Sequence, residues 1–129
     1  NGMGNGIAND DYVSNANIDT VSFLDLTNQN ITDVTGIEAF KSLSDLICNN
    51  NQLTSLDVSS NTALARLTCN DNQLTSLDLR NGRNLSNFSS LRNPNLTCIN
   101  VYQVSVYMFS FPIGSATDSS HYYSINCPN

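Results

Sequence analysis

Apolar residues recur at fixed intervals through the middle of the chain. Residues 43–53 and residues 64–74 both read LxxLxCxxNxL, so leucine, cysteine and asparagine return to the same slots after 21 positions. A period of about twenty residues is typical of solenoids, in which each short turn stacks on the next and shares its core. The spacing therefore predicts a solenoid built from turns of this length.

The same template extends in both directions. Residues 21–31 fit it, with Gln29 in the asparagine slot, and they precede the next copy by 22 positions. Downstream, Leu85 begins a fourth copy, in which the core slot has weakened to Ser90 and Pro94 adds one residue. Terminal repeats are usually atypical. We therefore expect four turns that start near residues 21, 43, 64 and 85, followed by a cap.

Each turn divides into two halves with different periodicity. The alternating LxL part indicates a short strand, and stacked copies predict one short parallel β-sheet. In later turns the other half, residues 53–58 and 74–79, suits an irregular or extended backbone. In the first turn its apolar residues come every three positions, which favours a helical or 3₁₀ arc through Ile31, Val34, Ile37, Phe40 and Leu43.

An asparagine follows the strand in the later copies of the template, as Asn51, Asn72 and Asn93. A buried amide must satisfy its hydrogen-bonding groups, and here it can bond backbone groups that the turn leaves unpaired. We therefore predict a structural ladder of these three side chains. Asn61 holds a similar turn in the second half. Gly82 replaces it one repeat later and would supply permissive backbone without the side-chain bond.

Together these motifs resemble the secreted leucine-rich repeat proteins of Bacteroidetes-type bacteria. The resemblance rests on CNxNQLTSLDVSxNTAL from Cys48, on residues 26–38 and on residues 93–99. It implies a leucine-rich-repeat solenoid that is exported and has a binding or adhesion role. The chain departs from the pattern because it lacks the usual N-terminal lead-in helix. We divide it into an N-terminal cap or linker (1–20), a solenoid (21–100) and a C-terminal cap (101–129).

Composition agrees with export and narrows the range of partners. The chain has 129 residues, enough for one domain, and its net charge is −6, which disfavours nucleic acid and anionic membranes as partners. No run approaches the roughly 18 apolar residues that span a bilayer. The chain has no initiator methionine and no signal peptide, so we expect Asn1 to be a processing point or an artificial boundary.

Two of the four cysteines, Cys48 and Cys69, occupy the same inward slot in consecutive turns. They either form a disulfide between turns or remain buried thiols that act as small apolar groups. Parallel strands hold equivalent Cβ atoms about 4.8 Å apart, whereas a disulfide needs about 3.8 Å. This geometry favours buried free thiols.

The other two cysteines, Cys98 and Cys127, form a different pair. Cys98 lies in the slot of Ser55 and Ser76, which we expect to point outward. A disulfide to Cys127 would pin the tail over the last turn, and closing such a loop is worth about 3–4 kcal/mol in the chain-entropy model. The family resemblance supports this pairing as well. Neither pair of cysteines has zinc-site spacing.

The tail after Val101 is dense in apolar and β-prone residues. An open solenoid end exposes a strand edge and a hydrophobic cross-section, so capping is the default explanation of such a stretch. A partner site is the alternative, because large exposed apolar patches mark interaction surfaces. The residues concerned are Val104, Val106, Tyr107, Met108, Phe109 and Phe111.

The head of the chain is rich in Asn, Gly and Asp and has the rhythm of a calcium loop. However, Met3 cannot ligate through oxygen, and Tyr12 stands where that loop requires a bidentate glutamate. We therefore predict a turn-rich cap, with no metal and no cofactor. Asp19-Thr20-Val21 resembles the O-glycosylation motif of exported Bacteroidetes proteins, which makes Thr20 a candidate for that modification.

The outward positions of the predicted strands form a candidate binding face. This face is polar, carries charges of both signs and has little aromatic character. It suits a protein or a glycan ligand, or it is a solvated surface without a ligand. Its residues are Phe23, Asp25, Asp45, Ile47, Arg66, Thr68, Asn87 and Ser89.

Catalysis has little support in the sequence. There is one histidine, and the carboxylate pairs are repeat ladders, whose equivalent environments do not push two pKa values apart. We therefore predict a non-catalytic, secreted or cell-surface binding or adhesion module for a protein or carbohydrate. The alternative is a structural subunit that self-associates head-to-tail into extracellular filaments, since heterologous contacts that do not close make filaments.

Overall fold

Short parallel strands on two sides of a narrow core define the architecture. The computed structural model describes residues 18–81, 84–102 and 117–128. The calcium-type loop, Gly82 and the apolar stretch 104–111 lie outside the described residues. In chain order the elements are β1 (Phe23–Asp25), a 3₁₀ helix (Ile37–Ala39), β2 (Asp45–Ile47), β3 (Arg66–Thr68), β4 (Leu77–Leu79), β5 (Asn87–Ser89), β6 (Cys98–Val101) and β7 (Tyr122–Ser124).

The first sheet contains β1, β2, β3 and β5 in that order, and all neighbours are parallel. Its register joins equivalent slots of successive turns: Leu24 pairs with Leu46, Leu46 with Leu67, and Leu67 with Phe88. The paired positions are 22, 21 and 21 residues apart, which matches the spacing of the apolar slots. The predicted parallel-strand solenoid of about four turns is confirmed.

The opposite side of the solenoid changes character along its length. In the first turn it contains the predicted 3₁₀ helix, which follows Gly36 at a φ of 105°, in the left-handed region that favours glycine. Towards the C-terminal end it becomes a second parallel sheet in the order β4-β6-β7. The sequence predicted extended backbone here but not the pairing, in which Ile99 lies between Leu77 and Tyr123.

Columns of apolar side chains fill the space between the two sides. Each column takes one residue from every turn, so each turn buries its apolar surface against its neighbours, at about 25 cal/mol per Å². Ser90 continues the column of Cys48 and Cys69 and is also fully buried, and its hydroxyl has no hydrogen-bond partner among the described residues. The fully buried apolar residues include Leu46, Leu67 and Phe88 from the first sheet, and Leu53, Leu74 and Leu96 after the asparagine turn.

The asparagine ladder ties each turn to the one before it. The Oδ1 atom of Asn72 accepts the backbone N–H of Leu53 at 3.1 Å, and its Nδ2 donates to the carbonyls of Cys48 at 3.0 Å and Cys69 at 3.2 Å. Asn93 repeats this arrangement one turn later, where Leu74 is the backbone donor. One buried amide therefore bonds two consecutive turns at once.

The second corner of each turn uses asparagine in a less regular way. Nδ2 of Asn61 donates to the carbonyls of Ile37 and Phe40 in the preceding turn, at 2.9 and 3.1 Å. One turn later Nδ2 of Asn81 donates to the carbonyls of Val58 and Ser59, both at 2.8 Å. The sequence led us to expect this side-chain bond only from Asn61, because Gly82 occupies the equivalent position one turn later. Asn81, one position before Gly82, makes the bond in that turn.

An acidic side chain closes the C-terminal end of the first sheet's turns. In an interior turn the backbone N–H groups of Asn50 and Asn51 donate to carbonyl oxygens of the next turn, at 3.0 and 3.2 Å. In the last turn the equivalent N–H groups, of Arg92 and Asn93, donate to the two carboxylate oxygens of Asp118, at 3.0 and 3.1 Å. The carboxylate therefore takes the place that two carbonyls hold inside the solenoid.

A disulfide closes the second sheet at the same end. Cys98 and Cys127 are bonded, with their Cα atoms 5.8 Å apart, so the predicted pairing is confirmed. The N–H of Cys127 also donates to Oδ1 of Asn100 at 2.7 Å. Cys98 is nevertheless only 7% exposed, because β7 pairs directly beside it and the disulfide to Cys127 covers its sulfur.

Candidate binding face

The eight outward residues of the first sheet form two straight columns. The register places Phe23, Asp45, Arg66 and Asn87 in one column and Asp25, Ile47, Thr68 and Ser89 in the other. Neighbouring strands lie about 4.8 Å apart, so the four strands present a face about 14 Å across. We call this surface the binding face.

Exposure differs strongly along the binding face. Phe23 is 55% exposed, and Asp25 and Arg66 are exposed as well, whereas Ile47 is half-buried. Ser89 is only 8% exposed, and its hydroxyl donates to Oδ1 of Asn70 at 2.6 Å. The accessible part of the face therefore lies mainly on β1, β2 and β3.

Arginines neutralise acidic residues of the preceding turn. Nε of Arg66 lies 3.3 Å from Oδ1 of Asp45 on the neighbouring strand. Beside the face, the Arg92 guanidinium pairs with both carboxylate oxygens of Asp71, again one turn earlier. Hydrogen bonding by Arg92 lowers the pKa of Asp71. Both pairs are exposed, so each adds little stability but fixes where charge lies.

Asp25 has no such basic partner among the described residues. Its Oδ1 accepts the backbone N–H of Thr27 at 2.9 Å, which closes a small turn after β1. Hydrogen bonds from the Thr27 side chain and backbone lower the pKa of Asp25. The carboxylate is therefore ionised at neutral pH, and it stands exposed beside Ile47.

The turn after each strand contains a left-handed residue beside the face. Asn28, Asn50, Asp71 and Arg92 have φ values of 58°, 55°, 56° and 56°. Asn and Asp tolerate this conformation well, whereas other non-glycine residues adopt it at some cost in conformational energy. In the first three turns, an Asn or Asp at this position is the sequence feature that indicates the left-handed conformation. Arg92 adopts the same conformation in the fourth turn, although arginine gives no such indication.

Behind the face, Cys48 and Cys69 form a two-step ladder of free thiols. Both are fully buried, and their sulfurs lie 3.4 and 3.5 Å from the carbonyl oxygens of Thr68 and Ser89. Burial raises the pKa of Cys48 to about 12 and raises that of Cys69 well above its usual value. Because the thiolate is the reactive form, these groups are packing residues and not nucleophiles.

The single histidine lies in residues 117–128, which close the C-terminal end of the solenoid and which we call the closing segment. The side chain of His121 is fully buried, and its Nε2 lies 3.3 Å from the carbonyl oxygen of Asn93 and 3.5 Å from Oδ2 of Asp118. It thus packs against the group that closes the last turn. Within residues 18–81, 84–102 and 117–128 no three His, Cys, Asp or Glu side chains form a group that could hold a metal ion. In the same ranges, no helix has both the length and the apolar character that crossing a bilayer demands.

Comparison with known proteins identifies the type of fold. No family model matches the chain. A solved structure described as the functional domain of InlJ from Listeria monocytogenes, which includes a cysteine ladder, superposes on 90% of the chain with a TM-score of 0.61 and 32% sequence identity. The fold is a leucine-rich-repeat solenoid. In this chain two buried free cysteines, Cys48 and Cys69, occupy equivalent positions in consecutive turns.

A sequence comparison points to the same protein. Internalin J of Listeria monocytogenes serotype 4b is 44% identical over 52 residues, which is 40% of this chain. The chain spans only 6% of the length of internalin J and 22% of the solved chain. The likeness thus concerns one stretch of leucine-rich repeats within much longer proteins.

Proposed function

We propose that this leucine-rich-repeat solenoid is a non-catalytic recognition module, secreted or displayed at a cell surface, whose binding face contacts a protein partner. The observation that carries the proposal is the binding face itself, which has an exposed phenylalanine and charged side chains on three neighbouring strands. Aromatic side chains, including phenylalanine, and arginines are enriched at protein interfaces. The similarity to internalin J supports the same conclusion.

The rigidity of the face supports recognition by a preformed surface. β2, β3 and β5 are fixed from behind by the fully buried Leu46, Leu67 and Phe88, and asparagine side chains fix the turns that follow β2 and β3. A surface held in this way loses little conformational freedom on binding, which favours affinity. A glycan ligand is less well matched, since Phe23 is the one exposed aromatic residue among the eight face residues.

An array of extracellular proteins and glycans tests this proposal. Phe23→Ser and Arg66→Glu alter the binding face, while Thr54→Ala and Thr75→Ala alter exposed positions on the other side and serve as controls. We expect protein ligands whose signal falls at least fivefold with the face variants and less than twofold with the controls. Ligands that respond only to the threonine variants would place recognition on the opposite side and refute the proposal.

Self-association is the second candidate function. Tyr122 and Ile125, which are 48% and 58% exposed, lie on or directly after β7 at the C-terminal end, and exposed apolar residues at a solenoid end favour head-to-tail stacking. Light scattering with electron microscopy separates the two candidates. Particles of 14.1 kDa support the recognition module, whereas regular fibres that Tyr122→Ser abolishes support a filament subunit.

A further inference from the structure

Acidic and apolar side chains alternate on the first two strands of the binding face. Phe23 pairs with Asp45, and Asp25 pairs with Ile47, so the two apolar residues are diagonal neighbours and so are the two carboxylates. With strands about 4.8 Å apart and a rise of about 3.3 Å per residue, diagonal positions on these parallel strands lie about 8 Å apart, within reach of one apolar side chain from a partner. We call Phe23, Asp25, Asp45 and Ile47 the N-terminal patch.

The charges of the N-terminal patch are not balanced within the described residues. Asp45 has Arg66 as its partner, and Asp71 has Arg92, in each case from the following turn. The same position relative to Asp25 is occupied by Ile47. The patch therefore combines one neutralised carboxylate, one carboxylate without a described cation and two apolar groups.

The surrounding turns add to the negative potential. Besides Asp25 and Asp45, residues 18–47 contain three acidic residues, Asp19, Asp33 and Glu38, and one basic residue, Lys41. Net charge of one sign on part of a surface attracts partners of opposite charge and speeds their association. A neutral or acidic ligand would leave Asp25 without a counter-ion, whereas a basic one would complete the pattern set by Arg66 and Arg92.

From this arrangement we infer that the N-terminal patch binds a polypeptide segment in which an apolar side chain is flanked by lysine or arginine. The apolar side chain packs between Phe23 and Ile47, and the cationic side chain pairs with Asp25. This inference rests on the proposed function, because it names the partner chemistry of the same face. It adds that recognition is concentrated on β1 and β2 and that it depends on charge.

Selection from a phage-displayed library of random peptides, with the intact chain as bait, tests the inference. Peptides that bind the chain are synthesised, and their affinities are measured by fluorescence anisotropy. We expect the selected sequences to carry a net positive charge around a central apolar residue. We also expect their affinity to fall as salt rises from about 0.05 to 0.3 M, since salt screens exposed charges.

Two variant pairs make the test specific. Asp25→Asn should weaken peptide binding at least fivefold, whereas Asp57→Asn should change it less than twofold. Asp57 is a matched control, because its Oδ1 accepts the N–H of Ser59 at 2.9 Å in the same kind of turn on the other side of the solenoid. Phe23→Ser should weaken binding at least tenfold, and Tyr122→Ser, at a residue of similar exposure, should leave it unchanged.

The outcomes separate this inference from the proposed function. Acidic or uncharged peptides that lose affinity on Arg66→Glu but not on Asp25→Asn would overturn the inference and leave the binding face as the recognition surface. Failure to enrich any peptide would also overturn the inference. The proposed function would still be tested separately, by the array of extracellular proteins and glycans. Unchanged thermal unfolding of Phe23→Ser and Asp25→Asn confirms that a lost signal reflects the surface, since both side chains are exposed.

Discussion

Replacing Asn72 by alanine should destabilise the solenoid by about 2–4 kcal/mol. The side chain is 4% exposed, and its Oδ1 is the acceptor for the buried N–H of Leu53. An orphaned buried donor costs about 1–3 kcal/mol, and the lost bonds from Nδ2 add about 1 kcal/mol. The two buried carbonyls that Nδ2 contacts keep other partners, since Asn51 also donates to Cys48 and Asn93 also donates to Cys69. In the Asn72→Ala variant each of these two carbonyls therefore keeps one side-chain hydrogen bond.

Urea unfolding measures this change directly, as a lower midpoint at a constant slope. Gln73→Ala is the control, because Gln73 is exposed and its bond to the Leu53 carbonyl comes from the backbone N–H and survives the substitution. We expect the control to change stability by less than about 0.5 kcal/mol. A loss below about 1 kcal/mol for Asn72→Ala would show that the ladder does not couple the turns and would refute this reasoning.

Three further predictions concern the core slot and the closing segment. Ser90→Ala should stabilise the fold by about 1 kcal/mol in urea unfolding, because it removes a fully buried hydroxyl that has no hydrogen-bond partner within the part of the chain that the structure describes. Cys127→Ser should lower stability by about 2–5 kcal/mol, and reductant should affect the wild type but not the variant in thermal unfolding. Bonds from the N–H groups of Arg92 and Asn93 lower the pKa of Asp118 below 3.8, so this carboxylate stabilises the fold above that pH and loses its effect as pH falls through the lowered pKa. Asp118→Asn should therefore flatten the acid limb of an unfolding profile, and an unchanged limb would contradict the assigned role.

The periodic part of the fold could be predicted because the apolar slots leave no alternative register. Shifting one strand by a residue would turn Leu46 or Leu67 to solvent, so the sheet order and pairing follow from the spacing alone. The 3₁₀ helix of the first turn followed from its own three-residue spacing. The sequence also supplied the columns of the binding face, since outward positions alternate with inward ones.

Apart from the disulfide, the contacts of the closing segment could not be predicted, because they lie outside the repeat. Asp118 reaches back 26 positions to Arg92, and no period connects the two. The burial of Cys98 depends on its pairing with β7, a strand that lies outside the repeat template. On the binding face, the column of Ser89 was predicted but its burial was not, because its hydroxyl bonds Asn70. The sequence pattern predicts on which side of a strand a residue lies, whereas the exposure of its side chain depends on the residues packed around it.

The equivalence of Asn72 and Asn93 has a consequence for how this kind of chain changes in evolution. Each amide bonds only its own turn and the one before it, so a duplicated 21-residue unit inserted between them would meet the same partners on both sides. Such an insertion adds one strand and two outward positions without disturbing the ends. Duplication of the segment that encodes one repeat can therefore lengthen the molecule in whole turns. Asp118 and the Cys98–Cys127 disulfide would close the C-terminal end of the longer molecule in the same way.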